Sequence, residues 1–207
     1  SKEFNLTSLS GWNNISNELF TRSLRYIFFL KNYISNINYK FLDVGTGAGI
    51  PSIPIKIFYP EISLSLCEPS QKKCSFLEEV IKKLNLRNIK IENERAENLG
   101  QSIKRESYDF VLTRALAKLP VLAELTLPLV KVGGKVITAK GKFPKVELGE
   151  SKYITELLGS KKTLVEKITI PKSLPTDHFI IWEKYKSTPV NFPRRNGIPN
   201  KRPIVSK

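Results

Sequence analysis

The sequence lacks several residues on which common kinds of site depend. It has no methionine, one histidine and two cysteines in 207 residues, and Cys67 and Cys74 do not form a Cys-x-x-Cys pair. This composition is not typical of a metal site, so we expect none. We expect both thiols to be reduced and buried, as in a cytoplasmic protein. Because methionine is absent, we also expect that Ser1 is not the natural first residue.

Long apolar runs and acidic residues are also scarce. No apolar run approaches the roughly 20 residues that a membrane-spanning helix needs, so we expect no membrane partner. Asp and Glu number 19 against 34 Lys and Arg, which gives a net charge of +15. These positive charges repel one another unless a bound polyanion neutralises them, so nucleic acid is the first partner to consider. The alternative is a lysine-rich chain with solvated faces.

The order of apolar stretches indicates an α/β protein with one main domain. Strand-like runs alternate with helical stretches through residue 158, and two further strands then follow each other. This order predicts a doubly wound, mostly parallel sheet with an antiparallel edge. The predicted strands lie at about 39–44, 62–68, 88–92, 108–113 and 136–141, and the edge strands near 163–170 and 178–185. A Val-Gly-Gly-Lys turn is expected at 132–135.

The two ends of the chain differ from its middle. Residues 1–36 are expected to form an N-terminal helical cap, residues 37–186 the main domain, and residues 187–207 a basic tail. The cap helix is predicted from about 14 to 33, because apolar residues recur there at helical spacing. The members of this stripe are Ile15, Leu19, Phe20, Leu24, Ile27, Phe28 and Leu30.

The tail carries prolines and cations but no acid. Proline removes backbone donors, so no regular structure is expected there. One interpretation is that Arg194, Arg195, Lys201 and Arg202 bind an RNA phosphate backbone. The other is a solubilising, disordered terminus.

The stretch from Asp43 to Pro51 organises the rest of the chain. Its glycines, Gly45, Gly47 and Gly49, let the backbone approach a ligand closely. The dinucleotide fingerprint would place a glycine where Ile50 stands, and the lysine of a P-loop is absent. Asp43 at the strand end suits a ligand that carries an amine or a sulfonium. The spacing resembles the first motif of S-adenosylmethionine-dependent methyltransferases; an ordinary tight turn is the alternative.

Later strand ends supply further candidates. Glu68 lies some 20 residues beyond the glycine turn, where an α/β fold places the carboxylate that accepts from ribose hydroxyls. It could instead be a charge at the start of a helix that Ser70 caps. Ala96 is small enough for an adenine ring to approach, and Arg114 ends the fourth strand.

Seven motifs in order carry a family resemblance. They are Asn5-Leu6-Thr7-Ser8, the 43–51 turn, Glu68 with Lys73 and Phe76-Leu77, Arg95-Ala96-Glu97, Thr113-Arg114-Ala115, Lys140-Gly141 and the 192–199 tail. The set resembles the bacterial small-subunit (16S) ribosomal RNA guanine-N7 methyltransferases, also called glucose-inhibited division protein B. The resemblance implies a seven-stranded, Rossmann-like class I fold, S-adenosylmethionine as cofactor, and ribosomal RNA or the small ribosomal subunit as partner.

The resemblance also implies which residues form the site. With those argued from the residues alone, the expected cofactor contacts are Asp43, Gly45, Gly47, Ile50, Glu68, Ala96, Glu97 and Arg114. Arg114 and Lys140 are the expected catalytic, substrate-side cations, although Lys140 could equally be a solvated strand end. Where the family has a His and an Asp in the N-terminal helix, this chain has Leu19 and Arg22. His178 is expected to be structural.

The expected reaction needs no general base, because guanine N7 carries a lone pair and no proton. Alignment, proximity and electrostatics would then supply catalysis. The alternatives are a methyltransferase acting on a protein or small molecule, and a non-catalytic RNA-binding assembly factor that keeps the fold. We expect a cytoplasmic monomer.

Overall fold

The computed structural model describes residues 16–34, 38–169 and 174–206. The first part of the predicted cap, including Ile15, lies outside the described residues. The strands are β1 (Lys40–Val44), β2 (Ser63–Cys67), β3 (Ile89–Glu92), β4 (Tyr108–Arg114), β5 (Val130–Lys140), β6 (Ser160–Ile168) and β7 (Asp177–Lys184). In the described residues they form one seven-stranded sheet in the order β3-β2-β1-β4-β5-β7-β6. The predicted mostly parallel sheet is confirmed.

Helices fill most of the connections between strands. A π-helical turn at Ser16–Thr21 leads into α1 (Arg22–Leu30), and the later helices are α2 (Ser52–Phe58), α3 (Gln71–Lys83), α4 (Ala96–Gly100), α5 (Leu119–Thr126), α6 (Lys145–Leu157) and α7 (Ile198–Lys201). The sequence did not predict α4 or α7, whose lengths of 5 and 4 residues are too short for a periodic signal. Among the described helices, none has the length and apolarity to span a membrane.

The chain packs as two units, the first ending at Glu94 and the second beginning at Arg95. This division differs from the predicted boundaries near residues 36 and 186. Most notably, the C-terminal residues belong to the second unit rather than forming a separate tail.

The first unit contains β1, β2 and β3, paired in parallel with Lys40 opposite Ser63 and Leu64 opposite Ile89. Helix α1 packs against α2 through fewer apolar residues than the predicted stripe contains. Ile27 and Leu30 are buried, but Phe20, Leu24 and Phe28 are 42–58% exposed. That part of the prediction is wrong, because the neighbouring helix covers only one side of α1.

The second unit contains β4 paired parallel to β5, and β7 between β5 and β6 with both pairings antiparallel. The turn predicted at 132–135 is wrong, because β5 continues through it. A Cβ on Gly134 would lie 2.7 Å from the carbonyl oxygen of Asp109 and 2.6 Å from Cγ2 of Val130. Gly134 therefore permits close approach within the strand, whereas Gly133 adopts a φ of 83° that favours glycine.

The C-terminal segment, residues 187–206, is built into the second unit. Arg105 donates to the carbonyl oxygens of Phe192 (2.5 Å) and Thr188 (2.7 Å), and also to those of Gly100 and Pro189. Within this segment only Ile198–Lys201 forms a helix, so the expected lack of regular structure holds for most of its described residues, but the segment is bonded to the rest of the unit rather than separate from it. Its proline-rich stretch is held by donors from elsewhere in the chain, which a local pattern does not reveal.

A buried lysine anchors the start of this segment. Lys184 is fully buried and donates to Oε1 of Glu106 at 2.6 Å, with further bonds to the carbonyls of Leu127 and Val130. The N–H of Thr188 donates to the same Glu106 oxygen at 2.6 Å. Burial lowers the pKa of Lys184, and the bond to Glu106 opposes that shift.

Candidate active site

The glycine turn joins the end of β1 to α2. Gly45, Gly47 and Gly49 have φ values of 68°, 57° and 82°, in the left-handed region that favours glycine. The N–H of Gly45 donates to the carbonyl of Cys67 at 2.9 Å, and that of Gly49 to the carbonyl of Thr46 at 2.9 Å. The turn is therefore held to the end of β2 by its own backbone.

Two buried carboxylates flank this turn. Oε2 of Glu68 accepts from the Gly47 N–H at 3.0 Å, and its Oε1 accepts from the Ser70 N–H at 3.0 Å. Oδ2 of Asp43 accepts from the Thr46 hydroxyl at 2.7 Å. Asp43 and Glu68 are 1% and 4% exposed. The Ser70 side chain makes no cap bond to α3, contrary to prediction, although Ser70 occupies the N-cap position.

This arrangement fits a cationic ligand better than a pyrophosphate. All three glycine N–H groups donate within the protein, to Cys67, Glu68 and Thr46, so they do not form an anion cradle. An ionised carboxylate has about four lone-pair sites, so Glu68 keeps acceptor capacity for a hydroxyl. A Cβ on Gly47 would meet no atom within 4 Å, so open space borders the turn. The residues therefore fit S-adenosylmethionine.

Apolar residues and inert thiols surround the turn. Ile50 lines an apolar groove of about 650 Å³ that Ala48, Leu24 and Phe76 also line. Cys67 and Cys74 are buried, as predicted, and are free thiols. Burial raises the pKa of each thiol, and nearby carboxylates raise it further. The thiolate that nucleophilic chemistry needs is therefore disfavoured at both positions.

In the second unit, Ala96 and Glu97 begin α4. Both are 7% exposed. Oε1 of Glu97 accepts from the N–H of Gly197 at 2.9 Å. Sequence reasoning missed this contact because the two residues are separated by 100 positions.

Arg114 and Lys140 end neighbouring strands of the second unit. Arg114 is half-buried on β4 opposite Ala139 of β5. Lys140 donates to Oε2 of Glu147 at 2.8 Å and to the carbonyl of Ala117 at 2.9 Å. The same Glu147 oxygen accepts from the Leu119 N–H. Lys140 is therefore neither a solvated strand end nor an unpaired cation, since it holds the loop that follows Arg114.

The four cations predicted to bind RNA have different surroundings in the structure. The guanidinium of Arg194 forms a fork with Glu124 at 2.7–3.1 Å, and Glu124 is 1% exposed. The expected role of Arg194 as a phosphate contact does not fit, because its charge is neutralised in this pair. Arg195, Lys201 and Arg202 are exposed.

The remaining expectations concern histidine, the N-terminal helix and metals. The Nδ1 atom of His178 lies 3.3 Å from the carbonyl oxygen of Gly141, and its ring packs edge-on against Phe143. These contacts support the structural role predicted for His178.

Leu19 is half-buried in the π-helical turn, and Arg22 is the first residue of α1. In the described part of the chain, no cluster of three or more His, Cys, Asp or Glu residues could hold a metal.

The fold and the turn define a Rossmann-like methyltransferase, a class whose cofactor is S-adenosylmethionine. A putative S-adenosyl-L-methionine-dependent methyltransferase from Methanococcus maripaludis matches with a TM-score of 0.59 and 17% identity, over 84% of this chain and 90% of that one. A methyltransferase from Pyrococcus furiosus also matches at 0.59, with 17% identity, over 79% and 83%. At such identities the likeness shows the fold alone.

Sequence comparison identifies the family within this class. The family described as GidB, rRNA small subunit methyltransferase G, matches residues 1–174. Proteins named ribosomal RNA small subunit methyltransferase G are 37% identical in Leuconostoc citreum (strain KM20) and 35% identical in Staphylococcus aureus (strain Newman). These alignments cover 99% and 100% of this chain and 85% of each relative. The chain belongs to this family, which confirms the predicted resemblance.

Proposed function

We propose that this protein transfers the methyl group of S-adenosylmethionine to N7 of a guanine in small-subunit ribosomal RNA. The family match over residues 1–174 carries this proposal. Two physical features support it. The buried carboxylates at the glycine turn suit a cationic cofactor, and the net charge of +15 suits a polyanionic substrate.

The reaction requires little of the protein beyond aligning the cofactor with the guanine. The cofactor supplies an electrophilic methyl on a sulfonium. The N7 lone pair would form the new N–C bond, and the thioether would leave with the electron pair of the broken S–C bond. The positive charge thus moves from sulfur to the methylated guanine, and no proton is transferred in this step. The inert thiols and the structural His178 are consistent with a mechanism without a nucleophile or base.

We assign the cofactor contacts within each unit separately. In the first unit, Glu68 would accept from the ribose hydroxyls, and Asp43 would face the cationic part of the ligand. Gly45 and Gly47 would permit backbone approach, and Ile50 would supply an apolar wall. In the second unit, Ala96 and Glu97 would face the adenine edge, and Arg114 would bind the methionine carboxylate or a substrate phosphate.

The catalytic role proposed for Lys140 is indirect. Its ammonium group is bonded to Glu147 and to the carbonyl of Ala117, three residues after Arg114. Lys140 would therefore position the loop that follows Arg114, and Arg114 itself would touch the ligand. A Lys140→Gln variant is expected to lower kcat more than it raises KM for the cofactor.

The RNA contacts proposed for the C-terminal segment are Arg195, Lys201 and Arg202, since these cations are exposed. Each phosphate contact that is removed should reduce the slope of log affinity against log salt by roughly 0.7 to 0.9. We further propose that the protein works in the cytoplasm, because its proposed substrate is ribosomal RNA, and that it is a monomer.

The decisive experiment maps methylated nucleotides by mass spectrometry in ribosomal RNA from cells with and without this protein. Loss of one 7-methylguanine from small-subunit RNA, restored by the purified protein and labelled cofactor, is the expected result. An unchanged methylation map would contradict the proposal. Calorimetry with S-adenosylmethionine then separates the alternatives: a methyltransferase for protein or small molecules would still bind it, whereas a purely structural assembly factor would not.

A further inference from the structure

A cleft lies on the second unit between α4 and the C-terminal segment. Its volume is about 730 Å³, within the range of small-molecule sites. Four primary amides line it together with one exposed guanidinium. These residues are Asn98, Gln101, Asn191, Asn196 and Arg195. We call this feature the amide cleft.

Both walls of the amide cleft are fixed by contacts already present. Nε2 of Gln101 donates to the carbonyl of Pro193 at 2.7 Å. Gly197 donates to the buried Glu97, and Arg194 is held by Glu124. On the α4 side, a Cβ on Gly100 would lie 2.8 Å from Cγ of Pro193, so the two walls are in close contact at their base. The walls are therefore held in place, whereas the exposed side chains that line the cleft would become ordered when a ligand binds.

The lining chemistry matches a nucleobase. Primary amides both donate and accept, as do the edges of the bases, and Asn and Gln commonly bind those edges. Pro193 and Ile198 give the lining an apolar component against which a ring can pack. Arg195 can bind a phosphate or stack on a base.

Other ligand classes fit the described lining less well. Arg194 is neutralised by Glu124, so Arg195 is the one available cation among these residues, too few for a polyphosphate. Glu97 is the single carboxylate among them, and it already accepts from Gly197, which disfavours a divalent cation.

We propose that the amide cleft binds an unpaired nucleotide of the substrate RNA, with its base among the amides and its phosphate at Arg195. This inference rests on the proposed function, because it takes RNA to be the substrate. Base-paired RNA does not offer these edges to a pocket, so the cleft would select a single-stranded or loop nucleotide.

The test compares an Asn98→Ala/Asn196→Ala variant with Asn200→Ala, an exposed asparagine of the same C-terminal segment outside the cleft. The probes are a short single-stranded RNA of mixed sequence and the same RNA annealed to its complement. The double variant should bind the single strand about tenfold more weakly, in keeping with the loss of one base contact. Its salt slope should not change, because the lost groups are neutral.

Several controls distinguish a failure of this inference from a failure of the proposed function. Arg195→Gln should reduce the salt slope by about 0.7, whereas Asn200→Ala should behave as the parent. Unfolding temperature and affinity for S-adenosylmethionine should be the same in all variants. The inference is overturned if the double variant binds single-stranded RNA as tightly as Asn200→Ala, or if the parent does not prefer single strands. Failure of the parent to methylate ribosomal RNA would instead contradict the proposed function.

Discussion

The glycine turn of the first unit and the C-terminal segment of the second unit are assembled in opposite ways. The turn is made within one strand–helix–strand unit: Asp43 and Gly49 are each bonded to Thr46, three residues away, and Gly45 and Gly47 donate to Cys67 and Glu68 at the end of the next strand. The C-terminal segment is held by partners 70 to 100 residues away, namely Glu124 and Glu97. A locally built element can be identified from spacing, whereas one held by distant partners resembles a disordered tail until the fold is known.

The largest expected effect concerns the pair that holds the C-terminal segment. Replacing Arg194 by alanine removes the guanidinium from the Glu124 carboxylate, which is 1% exposed, and leaves that carboxylate only the bond from the backbone N–H of residue 194. Breaking a buried ion pair costs about 3–5 kcal/mol, so urea unfolding should show a loss of that size. Arg195→Ala is the matched control, since this exposed neighbour should change stability by less than about 0.5 kcal/mol.

An added Glu124→Gln substitution should restore part of the loss in Arg194→Ala, because the uncompensated charge is removed. Equal urea midpoints for Arg194→Ala and Arg195→Ala would show that the segment is not anchored as described. Deleting all residues after Lys186 should destabilise the second unit even further, since Arg105 would lose its carbonyl partners in the segment and Glu106 would lose the bond from the Thr188 N–H.

The second prediction contrasts two glycines within the turn. A Cβ on Gly49 would lie 2.6 Å from Cγ1 of Ile53, and its φ is 82°, so Gly49→Ala should cost about 2–4 kcal/mol of folding stability. Gly47→Ala meets no atom within 4 Å and should cost only about 1–2 kcal/mol. Its methyl group would occupy the open space beside the turn, so calorimetric affinity for S-adenosylmethionine should fall. Unaltered affinity would place the cofactor elsewhere.

The third prediction tests Glu68 directly. Glu68→Gln keeps one acceptor oxygen but loses the charge-assisted bond proposed to the ribose. Such bonds contribute roughly 1.5–3 kcal/mol, so the dissociation constant should rise about tenfold or more. Glu79→Gln on the exposed face of α3 is the control and should bind the cofactor as the parent does. A Glu68→Gln dissociation constant equal to that of the control would show that Glu68 supports only the turn.

The smallest expected effect is an acid dependence of the second unit. Burial acts to raise the pKa of Glu106, but hydrogen bonds from Lys184 and Thr188 outweigh it and lower that pKa below its ordinary 4.5. The lowered pKa means that the stabilisation by Glu106 is complete above about pH 4.5 and is lost as pH falls through the lower folded value.

Chemical unfolding at a series of acidic pH values measures this effect. Glu106→Gln should flatten the fall in stability below pH 4.5 relative to Glu79→Gln. A parallel fall in both variants would assign the acid sensitivity to other carboxylates.

The sequence by itself determined the alternation of strands and helices, the turn from Asp43 to Gly49, and the family. These features depend on residues close together in the chain, because strand periodicity and glycine conformation are local properties. It also placed Glu68 correctly at a strand end, since spacing along a βαβ unit fixes which edge of the sheet a residue reaches.

Only the tertiary structure decided what the cations of the second unit do. Lys140, Lys184 and Arg194 look alike in sequence to exposed lysines and arginines, yet each has a carboxylate partner supplied by another element. The tertiary structure likewise decided that β5 continues through Gly134 and that the C-terminal segment packs within the second unit. A charge or a proline acquires its role from the groups that surround it, and folding brings those groups together from positions that no local pattern connects.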